Sequence, residues 1–146
     1  RLAAELARAE RTSAPLAAVM ADVDHFKAIN DRMGHEVGDL VLQSLGASIR
    51  ASLRGYDACA RWGGEEFLLL LPGADLAAAE AVAHKLKDLI SEHQLAVDEA
   101  ALSVSVSIGV ALRRPGEAGS ALLSRADAAL YRAKAQGRNR VEVDPA

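Results

Sequence analysis

Cysteine is nearly missing from this chain: Cys59 is the only one among 146 residues. A single thiol excludes an internal disulfide framework and a structural zinc site of the usual kind, and it fits a reducing compartment. The four histidines, His25, His35, His84 and His93, show no zinc spacing with it. Aromatics make up 3% of the chain, so Trp62 and Tyr56 are too few for a base-stacking platform. Positive charge is not in excess either, with 17 Lys and Arg against 20 Asp and Glu and a net charge of −3. A nucleic-acid polymer needs a basic surface, so that partner is excluded. An anionic small ligand would need local positive charge or a metal. No apolar stretch reaches membrane-spanning length, and no signal-peptide pattern, internal repeat or low-complexity tract is present.

What is present is a core. Apolar residues are 51% and charged residues 25%, the balance of a folded chain, and the length suits one domain over 1–146. Residues 1–12 read as an amphipathic helix, and LAAVMADV (16–23) as a strand buried on both faces. HFKAINDRM makes a short helix. Val37, Val41, Leu45 and Ile49 repeat every four residues, which predicts a helix over 36–53. DACARW and EFLLLL form a hairpin across Gly63-Gly64, where glycine accepts positive φ at little cost. Residues 75–93 and 119–136 are further helices, the second stopped by Gly137. LSVSVSIGVAL (102–112) alternates strictly and reads as one strand, and NRVEV as a last edge strand. The order α-β-α-α-β-β-α-β-α-β predicts an α+β fold: a mostly antiparallel sheet of about five strands flanked by helices.

Asp22 and Asp24 stand at the end of the first strand, and Glu65 and Glu66 at the start of the hairpin's second strand. If those strands are neighbours, Asp22 meets a glutamate at one sheet edge. Clustered carboxylates repel one another unless a cation lies between them. Oxygen-only ligands suit Mg²⁺, held by one or two carboxylates and by substrate phosphates. That chemistry belongs to phosphoryl and nucleotidyl transfer. A lone DxD or EE pair is more often a solvated strand end. Here both pairs abut hydrophobic strands in corresponding places.

ADVDHFKAINDRMGHEVGD, RWGGEEF, SVSIGVA and RADAALYRAKAQGRNRV together resemble the GGDEF domain of diguanylate cyclases, in its GGEEF form at Gly63–Phe67. The resemblance covers nearly the whole chain through several separately spaced motifs. It implies a sheet like that of nucleotidyl cyclases and polymerase palm domains. It implies an enzyme, a nucleotidyltransferase that condenses two GTP into the bacterial second messenger cyclic di-GMP and releases two pyrophosphates. Asp22 and Glu65, with the carbonyl of Val23, would ligate two Mg²⁺ or Mn²⁺ per site. Glu65 or Glu66 would assist deprotonation of the attacking 3′-hydroxyl. Asn30 and Asp39 would read guanine. Phe26 and Lys27 would lie near the phosphates, as would Lys134 and Arg138, with Arg132 and Arg140 thickening the positive field. Gly63 and Gly64 would let the substrate approach the backbone. Taken singly, several of these have ordinary explanations: a helix-end Asn, basic residues favouring a helix C-terminus, a glycine turn. The set in register changes that balance.

Arg54-Gly55-Tyr56-Asp57 matches the family's RxxD inhibitory motif in its spacing from the Gly-Gly turn. The resemblance implies product feedback by cyclic di-GMP there. Arg offers guanine O6 and N7 a two-pronged donor, and Asp accepts from the N1–N2 edge. Lys85 stands where a further arginine often completes the site, without that residue's planar fork. The family's opening DxLTxLxNR segment is not in the sequence, and residue 1 is Arg, so a fragment of a longer protein is expected. Its partners would be a second GGDEF domain in a homodimer and an upstream sensory or dimerising domain. Its location would be cytoplasmic, with any membrane tether in domains not present here. The alternative is a non-catalytic module that senses cyclic di-GMP or GTP.

Overall fold

Leu16–Val23 (β1) is buried at every position, because helices cover both of its faces. Leu16, Ala18 and Met20 pack on one side with Leu2, Leu6 and Ala9 of the first helix and Leu122, Ala126 and Leu130 of the last. Ala17, Val19, Ala21 and Val23 pack on the other, with Val37, Val41, Leu45 and Leu86. Period-two alternation thus feeds two separate cores, and β1 is the central strand of the sheet.

The structure is a computed structural model that describes residues 2–92, 94–97 and 100–144. Helix α1 (Leu2–Thr12) precedes β1, and α2 (Phe26–Met33) and α3 (His35–Ala51) follow it. The hairpin β2 (Ala58–Arg61) and β3 (Glu66–Pro72) leads into α4 (Leu76–Glu92). Then come β4 (Gln94–Val97), β5 (Ala100–Ser103), β6 (Val106–Leu112), α5 (Gly119–Ala135) and β7 (Val141–Val143). The main sheet has the order β2-β3-β1-β6-β7. Its ladders are antiparallel except for β6–β7, which is parallel. Helices α1 and α5 lie on one face and α2, α3 and α4 on the other, so the expected α+β sandwich is the fold observed. Among the described residues no helix is long and apolar enough to cross a membrane.

Two expectations need correcting. The run 102–112 is not one strand. It divides at Val104-Ser105, with β5 pairing β4 in a separate two-stranded sheet and β6 joining β1. Alternation reports which way side chains point, not when a strand changes partner. The β4–β5 hairpin is therefore an addition to the predicted order. Arg1 and His93, the outer ends of two expected helices, lie outside the described residues.

Helix α5 is pinned at its N-terminus and again at Arg125. The Glu10 carboxylate of α1 accepts from the Gly119 N–H at 2.6 Å, which caps an N-terminus that has no side-chain cap of its own. Arg125 donates to both oxygens of Glu117, at 2.7 and 2.6 Å, to the Leu112 carbonyl at 2.6 Å, and to Asp144. These side chains are largely shielded, at 15% exposure for Arg125 and 9% for Glu117. The Arg125 hydrogen bonds hold the Glu117 carboxyl below the usual carboxylate range. A depressed carboxylate pKa contributes stability that is present above its unfolded value and lost as pH falls through its folded one. Glu117→Gln should therefore cost about 1.5–3 kcal/mol at neutral pH, the scale of a hydrogen bond to a charged group. In thermal melts the gap between variant and parent should close at pH values below the folded pKa of Glu117. A gap that stays constant down to acid pH would show that the ion pair does not carry the difference.

Candidate active site

Strand pairing builds the site. β1 and β3 are antiparallel neighbours with Asp22 opposite Glu66, so the two acidic strand ends meet at one edge of the sheet. The Val23 N–H donates to the Glu65 carbonyl at 3.3 Å, which ties the β1 end to the loop before β3. A groove of about 410 Å³ opens there. Asp22, Val23 and Glu65 line it, together with Lys134 from the last turn of α5 and Arg138 from the turn that follows. Its floor is the turn through His25, Phe26 and Lys27. His25 takes the left-handed conformation at φ 57°, which aims the chain into α2. Phe26 is buried in the core, so what it can offer a ligand is its backbone N–H, while Lys27 is exposed.

Asp22 is the most enclosed of these acids, at 3% exposure. Lys134 donates to its Oδ2. Its Oδ1 is buried and has no hydrogen-bond partner among the described residues. Burial raises the Glu65 carboxyl above its ordinary value, repulsion from Asp22 raises it further, and Lys134 opposes both. Glu66 is raised by burial and then by repulsion from Asp22 and Asp127. Glu65 lines the groove with Asp22. Glu66 lines a neighbouring one beside Trp62, Met20 and Asp127. The Glu65-or-Glu66 alternative thus has a geometric difference behind it.

Asp24, paired with Asp22 in the sequence reading, has its oxygens occupied. They accept from Ser105 Oγ and Ser107 Oγ, each at 2.6 Å, and from the Asn139 N–H at 2.9 Å. Arg132 and Arg140 do not simply add positive field. Arg132 donates to the Val143 carbonyl at 3.1 Å, and Arg140 to Glu142 at 3.0 Å and to the Gln136 carbonyl at 3.0 Å.

Asn30 and Asp39 lie on α2 and α3, outside the residues lining this groove. Asp39 is exposed, while Asn30 Oδ1 is buried without a partner among the described residues. Gly38 makes room for it, since a Cβ built on Gly38 would overlap the Asn30 amide. Sequence reasoning missed this residue, although its place one position before Asp39 marked it for attention. Gly38→Ala should be nearly neutral for folding, because the helix preference for alanine offsets the displaced amide. It should still weaken binding of any ligand held by Asn30 by about tenfold, the scale of one well-made hydrogen bond. Titration of guanine nucleotide into both proteins checks this, and unchanged affinity would remove Asn30 from the ligand contact.

The Gly63-Gly64 loop corrects another expectation. Neither glycine adopts positive φ. The Trp62 N–H donates to the Glu66 carbonyl at 2.8 Å, and Arg61 holds the Gly64 carbonyl at 2.7 Å. A Cβ on Gly64 would meet nothing within 4 Å. Backbone strain and internal packing therefore give no reason for glycine at 64.

The RxxD segment is a closed turn. Asp57 Oδ2 accepts from the Arg54 N–H at 3.0 Å and from Arg54 Nε at 3.4 Å. The guanidinium lies 4.5 Å from the centre of the Tyr56 ring. Asp57 Oδ1 is buried without a partner among the described residues. Lys85 is exposed on α4, and among the described residues no hydrogen bond or ion pair joins it to Arg54 or Asp57. Cys59 is half-buried, and burial pushes its thiol up, away from a reactive thiolate.

Comparison with known proteins gives a consistent result. Residues 1–140 match the family model described as diguanylate cyclase, GGDEF domain. Diguanylate cyclase DgcP of Pseudomonas aeruginosa is 43% identical over 143 residues, which is 98% of this chain and 21% of that protein. The chain spans 35% and 29% of two other curated relatives, diguanylate cyclase A of Treponema denticola and response regulator PleD of Caulobacter vibrioides. Among solved structures, the GGDEF domain of DgcB from Caulobacter crescentus in complex with c-di-GMP superimposes with TM-score 0.93 at 34% identity, over 99% of this chain and 89% of that one. The active GGEEF domain of a diguanylate cyclase from Vibrio cholerae does so with TM-score 0.89 at 33% identity, over 98% and 91%.

Proposed function

We propose a function from one premise: this chain belongs to the diguanylate cyclase GGDEF-domain family. Its reaction is the condensation of two GTP into cyclic di-GMP. In each half-reaction the 3′-hydroxyl of one GTP attacks the α-phosphorus of the other. A P–O bond forms there, the bond to the β-phosphate oxygen breaks, and pyrophosphate leaves. The observation that carries this reading is one groove lined by both Asp22 and Glu65 and by Lys134 and Arg138. A metal-bridged triphosphate needs both signs of charge in that arrangement.

The donors fit Mg²⁺ or Mn²⁺. Asp22 Oδ1 is buried and unpartnered, and the groove offers oxygen donors in Asp22, Glu65 and the Val23 carbonyl. Among the described residues no three acidic, histidine or cysteine side chains gather as a cage of their own. That suits ions whose remaining ligands are substrate phosphates and water. When bound, the ions supply charge stabilisation at the reacting phosphate. Lys134 and Arg138 neutralise the non-reacting phosphates, and the backbone N–H groups at Phe26 and Lys27 face the same anion. Glu65 lines the groove with Asp22 and Glu66 does not, so Glu65 takes the 3′-hydroxyl proton in preference to Glu66. Gly64, bare toward solvent, leaves space for the nucleotide against the loop. Asn30 and Asp39 read the guanine edge through an unpartnered amide oxygen and an exposed carboxylate.

Each site holds one GTP, so catalysis joins two copies of the domain face to face. The chain works as one module of a longer cytoplasmic protein, with sensory or dimerising domains elsewhere in it, and the greater length of its relatives supports this. Cyclic di-GMP returns as an inhibitor at Arg54 and Asp57, where Asp57 Oδ1 is an unused buried acceptor. The test compares GTP with ATP and then adds product. GTP should be strongly preferred, Asp39→Ala should erode that preference, and Arg54→Ala should relieve inhibition without loss of the initial rate. Equal use of the two nucleotides would contradict the guanine reading, and unrelieved inhibition would contradict the RxxD assignment.

A further inference from the structure

Asp24 is a buried carboxylate that the mechanism does not use, at 5% exposure beside the groove. Its three side-chain hydrogen bonds reach residues far along the chain: Ser105, Ser107 and Asn139. The third is unlike the others. Ser105 and Ser107 are neighbours across the sheet edge, where the Asp24 N–H also donates to the Ser105 carbonyl at 2.9 Å. Asn139 belongs to the turn that follows α5.

That turn is strained. Gly137, Arg138 and Asn139 all have positive φ, at 120°, 64° and 48°. Glycine adopts this freely, but two successive residues with side chains do not, and they stay there only when their surroundings hold them. The Arg138 N–H is fixed to the Ala133 carbonyl at 3.0 Å, and the Arg140 carbonyl accepts from Ile108 N–H at 2.9 Å. Between these anchors the Asn139 N–H is held by Asp24 at 2.9 Å. The conformation delivers Arg138 to the groove beside Lys134 and Glu65.

We infer that Asp24 is a positioning residue: through the Asn139 N–H it locks the left-handed Arg138–Asn139 turn and so aims the Arg138 guanidinium at the nucleotide's phosphates. This rests on the functional reading given above. Asp24 need not touch the ligand, and its effect passes through Arg138.

A double-mutant cycle on affinity for the α,β-methylene analogue of GTP, in Mg²⁺, tests it without turnover. Asp24→Ala should weaken binding about tenfold, the scale of one charge-assisted hydrogen bond. Placed on Arg138→Ala, it should weaken binding no further. Asp24→Asn should recover affinity. Its amide oxygen can take the Asn139 N–H while its NH₂ donates to a rotated serine hydroxyl, a freedom the backbone N–H lacks. Ser107→Ala should lower the melting temperature and leave affinity unchanged. If Asp24→Ala does not fold, Asp24→Ser replaces it, being too short to reach Asn139. Undiminished loss in the Arg138→Ala background would overturn the inference, as would a loss in Ser107→Ala equal to that in Asp24→Ala. Failure of the unsubstituted protein to bind the analogue would instead overturn the functional reading on which it rests.

Discussion

Asp22→Asn should reduce formation of cyclic di-GMP from GTP by about 10³-fold, the scale seen when one preorganised electrostatic group at a reacting centre is removed. The substitution keeps size and shape, so the sheet edge stays intact. It removes a charge that the site depends on in two ways. Asp22 presents a buried, unpartnered Oδ1 to the groove, and its Oδ2 anchors Lys134. On the proposed reading, losing the carboxylate removes an anionic oxygen donor for a divalent cation, and it removes the charge that pairs with Lys134. It also lifts the repulsion that raises the Glu65 and Glu66 carboxyls. Product quantified by chromatography, with circular dichroism to verify folding, checks the claim. Activity within tenfold of the parent would mean that Asp22 does not hold the reactive phosphate in place through a cation.

Gly109→Ala destabilises the fold by about 3 kcal/mol and lowers the melting temperature by roughly 10 °C, at the upper end of what overpacking costs. Gly109 lies on β6 opposite Met20, at the centre of the sheet. A Cβ there would overlap the Leu130 nitrogen and the Ala126 carbonyl oxygen of α5. Those are backbone atoms, so no rotamer change relieves the overlap and the helix has to lift off the sheet. Because Lys134 lies in the last turn of α5, which leads to Arg138, the same change should reduce nucleotide affinity, although residue 109 does not line the groove. Gly64→Ala is the natural comparator: its Cβ meets open space, so its melting temperature should match the parent. Equal melting temperatures for Gly109→Ala and the parent would contradict the close helix–sheet contact.

The strand that carries the site was legible because Leu16–Val23 is apolar at every position but Asp22, and only a centrally placed strand buries both faces. The hairpin was legible from DACARW and EFLLLL across the glycines, and together they put Asp22 beside a glutamate. What could not be read depended on partners distant in sequence. LSVSVSIGVAL changes sheet at Val104-Ser105, a switch that periodicity does not record. Ser107 belongs to a polar-looking stripe, yet it is fully buried, because Asp24 takes its hydroxyl. Gly63-Gly64 suggested a positive-φ turn, but the loop closes without one. Arg132 and Arg140 looked like added positive field around Lys134 and Arg138, but their hydrogen bonds go to Val143, Glu142 and the end of α5. In each case the residue type was visible and its partner was not.

The most direct test of the central claim is a product assay with GTP and Mg²⁺ over a wide range of protein concentration, with Glu65→Gln alongside. The account predicts cyclic di-GMP that rises more steeply than linearly with protein, since two GTP-loaded copies have to meet, and that disappears in the variant. Product that scales linearly, or that Glu65→Gln forms at the parental rate, would contradict it.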